Sequence, residues 1–182
     1  MQKNVYIVLT QTGTVLSRII KAITGAEYNH SSISLTETLT PMYSFGRRNP
    51  YNPFWGGYIK EQPKCGIYKR LPKTTSKVIS IKVSEETYEE LKALFEKMYD
   101  ERNAYSYNFI GLCLAAFGIV LRREKHLYCS EFIRDVFRQY KVEGYELLDE
   151  IIQPVHFQRM PHEVVYCGRI NDYPEGFRDN ER

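Results

Sequence analysis

Hydrophobic and polar positions near the start of the chain predict a strand followed by a helix. Asn4 to Thr10 (NVYIVLT) is rich in β-branched and aromatic residues, which favour a strand. Thr14 can cap a helix, and the apolar residues that follow it recur every three or four positions. Gly25 stands where a helix commonly stops. We therefore expect a strand and then a helix before residue 26.

The next segment has a period of two, which is the signature of a strand. Between His30 and Thr36, the residues Ser31, Ile33 and Leu35 would share one face. The opposite face would carry His30 with two small serines, Ser32 and Ser34. Pro41 to Phe45 is a plausible antiparallel partner across the intervening turn.

The rest of the chain predicts further strands and then helices, which is an α+β pattern. We expect one domain over residues 1–182, with an antiparallel sheet of about five or six strands packed against helices. The remaining predicted elements are a long ordered loop (Arg47–Gln62), two strands (Cys65–Leu71 and Lys77–Val83), a helix capped by Ser84, two more helices (Tyr105–Val120 and Cys129–Tyr140) and a final strand (Val164–Ile170).

Composition narrows the classes of protein. Hydrophobic residues make up 43% and charged residues 26%, which fits a folded globular chain. The 25 basic and 22 acidic residues leave a net charge of only +3. Because nucleic-acid binders usually carry a larger clustered basic excess, we expect no nucleic-acid partner.

The apolar stretches and the cysteines indicate where in the cell the protein is expected. The longest apolar stretch, Phe109 to Leu121, has about 13 residues, short of the roughly 20 that span a bilayer. The first ten residues lack the pattern of a secretory signal. The four cysteines form no CxxC pair, which favours reduced thiols and a cytoplasmic location. No Cys/His spacing suits a zinc site, so no metal is expected.

Cys129 is the first candidate for chemistry. Phe132, Ile133 and Val136 lie on one stripe of the predicted helix, and Cys129 precedes them on the same side. A helix N-terminus favours a thiolate, and its free N–H groups can stabilise an oxyanion. A buried core thiol is the alternative interpretation, and on helix position alone it is the commoner one.

His30 is the candidate base. We expect its small polar face to lie opposite the helix that begins at Cys129, as a thiolate–imidazolium pair requires. A third group should orient the imidazole. Ser44 is the best-placed polar side chain on the next strand, with Glu37 and Glu61 as fallbacks. His126, three residues before Cys129, is the second choice as base.

Two motifs in this order resemble a known family. Tyr28 to Leu35 (YNHSSISL) and, much later, Tyr128 to Ile133 (YCSEFI) resemble the circularly permuted papain-like cysteine hydrolases. These are the YiiX/YebB-like branch of the NlpC superfamily, to which lecithin:retinol acyltransferase is also similar. In this branch the histidine strand precedes the cysteine helix, whereas ordinary papain-like enzymes have the reverse order. The resemblance covers about residues 5–140 and implies a permuted papain-like (NlpC-type) fold.

The resemblance implies that His30 is the general base and Cys129 the nucleophile, with no cofactor. Relatives often carry Glu or His where this chain has Ser44, and that departure weakens the expected orientation of the imidazole. The implied reaction is cleavage of an amide, isopeptide or ester carbonyl through an acyl-enzyme. The implied substrate is a peptide, isopeptide or lipid-like acyl compound, and the candidate substrate-binding residues are Tyr128, Trp55 and Tyr6.

Three alternatives stay open. A lipid or thioester acyltransferase would use the same chemistry. A catalytically silent binding module would keep the fold, and the absence of an acidic or histidine residue on the next strand favours it. A lipid-surface protein would use Phe109 to Leu121 as a membrane-facing segment.

Overall fold

A six-stranded antiparallel sheet organises the part of the chain that the computed structural model describes, which is residues 1–13, 25–48, 55–115 and 117–174. The strands are β1 (Gln2–Gln11), β2 (His30–Ser34), β3 (Met42–Arg47), β4 (Gly56–Glu61), β5 (Thr75–Ser84) and, after two short strands, β8 (Glu163–Arg169). Their spatial order is β4-β3-β2-β1-β5-β8, and every neighbouring pair is antiparallel. The predicted α+β class and antiparallel sheet are confirmed. The helix expected from Thr14 lies outside the described residues.

Helices follow the strands in the second half of the chain. The described α-helices are α1 (Gly66–Arg70), α2 (Glu85–Asp100), α3 (Phe109–Ala115) and α4 (Cys129–Gln139). Two short strands, β6 (Ser106–Tyr107) and β7 (His126–Leu127), pair in parallel beside the main sheet. Short 3₁₀ helices cover Arg102–Ala104, Tyr145–Leu147, Pro154–Arg159 and Ile170–Asp172.

Strand β1 is buried on both faces. Val5, Ile7 and Leu9 belong to the larger core, whereas Tyr6 and Val8 belong to a smaller core on the other side of the sheet. A strand covered on both faces reads as a continuous apolar run, which explains the sequence VYIVL. The sheet therefore offers two packed faces, and the helix that carries Cys129 packs on the face with the larger core.

Aromatic rings fix the cysteine helix against the sheet. The Phe132 ring of α4 lies 5.4 Å from the rings of Phe45 and Tyr58 and 5.8 Å from that of Phe95, between ring centroids. These are favourable aromatic distances, and all four side chains are buried. Because Phe132 lies less than one turn after Cys129, this contact sets the position of the helix N-terminus.

Strand β4 differs from the sequence-based prediction because glycines obscure it. The predicted loop Arg47–Gln62 contains β4, whose first two residues are Gly56 and Gly57. A Cβ on Gly56 would lie 2.5 Å from the Gly46 carbonyl oxygen, and one on Gly57 would lie 2.5 Å from the Tyr105 carbonyl oxygen. Only glycine allows these close approaches, so the strand begins without the β-branched residues by which strands are recognised.

Two further elements differ from the prediction, one in type and one in length. Cys65–Leu71 was predicted as a strand but contains helix α1, which places Tyr68 in the smaller core. The helix predicted over Tyr105–Val120 is shorter, because α3 covers only Phe109–Ala115 and Gly118 follows with a φ of +78°. Among the described residues, no helix combines the length and the apolar character needed to cross a bilayer.

Candidate active site

His30 and Glu61 meet at one end of the sheet. His30 is the first residue of β2 and Glu61 is the last residue of β4, so β3 lies between their strands. The Nε2 atom of His30 lies 3.0 Å from Oε2 of Glu61. The two side chains are only 17% and 10% exposed, so water screens their interaction weakly.

Three donors converge on the same oxygen of Glu61. The Ser32 hydroxyl donates to Oε2 at 2.7 Å and the Tyr68 hydroxyl at 3.4 Å, beside the His30 ring. Burial alone would raise the pKa of the Glu61 carboxyl, but the charge of His30 and these hydrogen bonds hold that pKa below its ordinary value. Glu61 is therefore a fixed, ionised acceptor for the imidazole.

Cys129 is the first residue of α4 and contacts the other side of this arrangement. Its side chain is 3% exposed. Burial alone would raise the pKa of the thiol, but a hydrogen bond with His30, the charge of His30 and hydrogen bonds from the backbone and hydroxyl of Ser31 lower it. The net pKa lies below the ordinary value for a thiol. The position at the start of an 11-residue helix favours the thiolate further.

The imidazole of His30 lies between an acid and a thiol. Burial acts to lower its pKa, whereas the charge of Glu61 and the hydrogen bonds with Cys129 and Glu61 raise that pKa well above the ordinary value. Because Nε2 is engaged by Glu61, Nδ1 is the ring nitrogen left for the thiol. The directions of the two pKa shifts favour a charged pair, Cys129 thiolate with His30 imidazolium.

The helix packs on a different face of β2 from the one predicted. Ser31 Oγ lies 3.0 Å from Ser130 Oγ, and Ile33 shares a core with Phe132. Ser32, on the face expected to meet the helix, instead contacts Glu61. Alternation alone suggested that His30 and the helix must share a face. Because His30 is the first residue of its strand, its ring can contact groups from both sides of the sheet.

Tyr107 is a candidate functional residue that the sequence reasoning missed. It lines the same cleft as His30, and its pKa is raised by burial and by the charge of Cys129, so its hydroxyl stays protonated. That hydroxyl makes no hydrogen bond to any described residue. Asn108 fixes the backbone beside it, since its Oδ1 accepts from Gly111 N and its Nδ2 donates to the Leu121 carbonyl, both at 3.0 Å. An Asn just before an apolar helix was the available signal.

A cleft of about 750 Å³ opens beside His30 and Glu61. It runs along β4, which is an edge strand of the sheet. Apolar and aromatic side chains form part of its wall, as is usual for small-molecule sites. The described apolar and aromatic lining residues are Pro41, Tyr58, Ile59, Ile67, Tyr68, Tyr99, Tyr107 and Leu112.

Ser44, expected to be the third member, does not contact the imidazole. Its hydroxyl donates to the Ser31 carbonyl at 2.7 Å and is completely buried. Because this backbone carbonyl accepts the proton of the Ser44 hydroxyl, that proton is not available to the His30 ring. The ring of His30 is met instead by Glu61, the fallback, because the edge strand brings its last residue back to the site. The backbone carbonyl of Glu37, the other fallback, accepts a hydrogen bond from the Tyr173 hydroxyl.

The candidate substrate-binding residues are not among the described residues that line this cleft. Tyr6 is buried in the smaller core. Tyr128 is buried as the N-cap of α4, next to the nucleophile candidate. Trp55 is 59% exposed just before β4. Their proposed contact with substrate stays a prediction, although Tyr128 still contributes by fixing the start of the cysteine helix.

The other histidines lie elsewhere in local contacts. His126 Nδ1 lies 2.7 Å from the Glu124 carbonyl, His156 Nδ1 lies 3.3 Å from Asp149 Oδ2, and His162 Nδ1 lies 2.8 Å from the Met160 carbonyl. Within residues 1–13, 25–48, 55–115 and 117–174, no cluster of three His, Cys, Asp or Glu side chains could hold a metal ion.

The fold and site thus define an α+β protein with a buried Cys–His–Glu constellation at the end of an antiparallel sheet. Comparison of the chain with family models, with curated proteins and with solved structures finds no match. The resemblance to permuted papain-like enzymes therefore rests on the two motifs and their order along the chain.

Proposed function

We propose that this protein is a cysteine hydrolase of the permuted papain-like type, with Cys129 as nucleophile, His30 as acid and base, and Glu61 as the residue that orients the imidazole. The observation that carries the proposal is the shared placement of these three side chains. The carboxylate at residue 61 lies 3.0 Å from the ring of His30, and the thiol at residue 129 interacts with the same histidine, which lowers the pKa of the thiol.

The first half of the reaction forms an acyl-enzyme. The Cys129 thiolate attacks the carbonyl carbon of an amide or ester, and a carbon–sulfur bond forms while the carbonyl electrons move to oxygen. The His30 imidazolium then donates its Nδ1 proton to the leaving nitrogen or oxygen as the carbon–leaving-group bond breaks. A thioester on Cys129 and a neutral His30 result.

The second half restores the enzyme. Neutral His30 takes a proton from water, and the resulting hydroxide attacks the thioester carbonyl. The carbon–sulfur bond breaks, the acid leaves and the thiolate–imidazolium pair returns. An alcohol or amine in place of water would make the same site an acyltransferase. Glu61 accepts from Nε2 throughout, which leaves Nδ1 free to exchange the proton in every step.

Two donors are available for the negative oxygen of the tetrahedral intermediate. The backbone N–H of Cys129 is among the free donors of the first turn of α4. The Tyr107 hydroxyl is protonated, has no partner among the described residues and interacts electrostatically with Cys129. Their combination resembles an oxyanion hole of one backbone and one side-chain donor.

Selective alkylation tests the nucleophile without knowledge of the substrate. We expect iodoacetamide to modify Cys129 faster than the exposed Cys65 and Cys167 near neutral pH, as followed by peptide mass spectrometry. His30→Gln should slow the modification of Cys129 by roughly 10-fold or more while leaving Cys167 unchanged. Equal rates at all accessible cysteines would refute an activated nucleophile.

Acyl transfer tests catalysis itself and separates the enzyme from a silent binding module. With an activated 4-nitrophenyl ester, the wild-type chain should release one equivalent of nitrophenol in a burst and then turn over. Cys129→Ala should abolish both phases, and Cys167→Ala should keep both. Absence of both the burst and the turnover would favour the silent module, whereas a burst without turnover would indicate an acyl-enzyme that needs an acceptor other than water.

A second candidate function, lipid-surface binding, is favoured by one exposed segment. Four large apolar side chains on and after α3 are about half exposed or more, and basic residues follow them. The apolar residues are Ile110, Phe117, Ile119 and Val120, and the basic ones are Arg122, Arg123 and Lys125. Sedimentation with vesicles containing anionic lipid should be lost in Phe117→Asp if this segment binds membranes, and unchanged sedimentation would remove the idea.

A further inference from the structure

The cleft beside the proposed catalytic pair is strongly basic, although the whole chain is nearly neutral. Among its described lining residues, five are arginine or lysine and one is acidic. The five basic residues are Arg47, Arg48, Lys60, Arg70 and Arg102. Across the chain the ratio is 25 basic to 22 acidic residues. The excess positive charge is therefore concentrated at this site.

Local acidic partners do not neutralise the charges of Arg47 and Arg48. Glu61, the one acidic lining residue, is opposed by His30, and Lys60 is paired with Glu96 at 3.0 Å. Arg48 donates to Asn103 Oδ1 and to the Arg102 carbonyl, which are uncharged acceptors. Arg47 makes no ion pair or hydrogen bond with any described residue. Two guanidinium groups thus keep their full charge next to the cleft.

Arg47 lies on the side of the sheet that carries the thiol. It is the last residue of β3, two positions after Phe45, and alternation places both on the face that packs against α4. Its charge acts on Tyr107, whose hydroxyl is itself influenced by the charge of Cys129. Arg47 and Tyr107 are also neighbours in space, since a Cβ built on Gly56 would lie 3.2 Å from Arg47 Cα and 2.7 Å from Tyr107 Cβ.

The sequence next to this pair supplies no counter-charge. The residues between Arg48 and Trp55 (NPYNPF) contain neither Asp nor Glu. A guanidinium pair beside an apolar wall is the usual way in which proteins bind carboxylate or phosphate groups. Arg47 is half-buried and Arg48 is exposed, and both line the cleft, so an anionic ligand there would give the two guanidinium groups a charged partner.

We propose that the acyl substrate carries an anionic group, a carboxylate or a phosphate, which Arg47 and Arg48 bind while the scissile carbonyl faces Cys129. This inference rests on the proposed function for the reaction but concerns the recognition of the substrate. It predicts that negatively charged acyl or alkyl reagents reach Cys129 better than neutral reagents of the same size.

Two alkylating reagents of nearly equal size provide the test. Iodoacetate carries a carboxylate where iodoacetamide carries a neutral amide, and both react with the thiolate. We expect the ratio of the iodoacetate rate to the iodoacetamide rate to be roughly 10-fold higher at Cys129 than at Cys167 in the same molecule. High salt should reduce this preference, because it screens partly exposed charges.

Variants that each remove one positive charge test whether Arg47 and Arg48 cause the preference for iodoacetate. Arg47→Gln and Arg48→Gln should each lower the ratio at Cys129 towards the ratio at Cys167. Lys92→Gln removes the same charge from an exposed side chain of α2 that pairs with Glu89, so its ratio should match that of the wild type. An equal loss in Lys92→Gln would attribute the preference to net charge and overturn the proposal.

A binding measurement keeps recognition separate from reactivity. In the Cys129→Ala variant, titration with glutarate should shift the backbone NMR signals of Arg47, Arg48 and Tyr107 to saturation, and inorganic phosphate should do the same if phosphate is the better ligand. Loss of the shifts in Arg47→Gln supports the anion site even if Cys129 proves unreactive. Absence of saturable shifts, with rapid modification of Cys129 by iodoacetamide, overturns the anion site and leaves the hydrolase proposal intact.

Discussion

The Nε2 atom of His30 lies 3.0 Å from Oε2 of Glu61, although a complete strand, β3, separates the strands that carry them. Gly46 of β3 lies beside this contact, and a Cβ built there would be 2.8 Å from Ile59 Cδ1 and 3.7 Å from His30 Cε1. The absence of a side chain at Gly46 leaves space beside the ring. The orienting carboxylate therefore comes from the edge strand instead of the adjacent one.

Replacing Glu61 by glutamine tests its role in orienting and charging the imidazole. Glu61→Gln removes the negative charge that raises the pKa of His30, so the pKa of the imidazolium should fall. Because the proposed reaction needs the imidazolium as acid, the basic limb of the pH–rate profile should move to lower pH. Ester turnover should fall by about 10-fold or more.

The matched control is Glu96→Gln, since Glu96 is paired with Lys60 and does not touch His30. Its pH–rate profile should keep the wild-type position. An NMR titration of the His30 ring would read the pKa directly. An unchanged ring pKa in Glu61→Gln would contradict the assignment of Glu61.

The pH dependence of alkylation tests the charged pair. Because the pKa of Cys129 is lowered, its thiolate should persist at pH values at which an ordinary thiol, with a pKa of about 8.5, is protonated. The acidic limb of the alkylation profile should therefore lie below that of free cysteine. In His30→Gln the thiol stays buried while the stabilising charge is lost, so the pKa of Cys129 should rise and the limb should move above its wild-type position. A limb that does not respond to this substitution would exclude the pairing.

Tyr107→Phe tests the oxyanion donor. The substitution removes one hydroxyl from the cleft and keeps the ring, so folding and iodoacetamide alkylation should be nearly unchanged. Ester turnover should fall by roughly 10²- to 10³-fold, as is typical when one oxyanion-hole donor is lost. Tyr99→Phe, another tyrosine of the cleft, is the control and should retain turnover. Equal alkylation and equal turnover in Tyr107→Phe would remove Tyr107 from the mechanism.

Cys129 and His30 could each be predicted from the sequence, whereas their proximity could not be predicted from local patterns. Cys129 was predictable because helical periodicity and the N-terminal position are local properties. The first residue of β2 was predictable as His30 because alternation marks the strand start. The proximity of Cys129 and His30 depends on contacts between distant parts of the chain. The order of the two motifs suggested it, and the packing of Phe132 against the sheet produces it.

Glu61 and Tyr107 were harder to find for a physical reason. The position of Glu61 depends on strand β4, whose Gly-Gly start resembles a loop, and on pairing between β3 and β4 that local patterns do not encode. Tyr107 belongs to a two-residue strand, too short for any periodicity to be visible. Sequence alternation favours Ser44 because it lies on the strand adjacent to His30, whereas a long carboxylate on the next strand can reach past a glycine.

The aromatic contact that positions the cysteine helix should be measurable as stability. Phe132 is 1% exposed and packs on the rings of Phe45, Tyr58 and Phe95, so Phe132→Ala should lower the free energy of unfolding by about 3–5 kcal/mol. Phe117→Ala makes the same chemical change at a side chain that is 69% exposed, and it should alter the free energy of unfolding by less than about 0.5 kcal/mol. Urea denaturation followed by circular dichroism gives both values. Similar losses in the two variants would contradict the packing described for the N-terminal end of α4, and with it the placement of Cys129 beside His30.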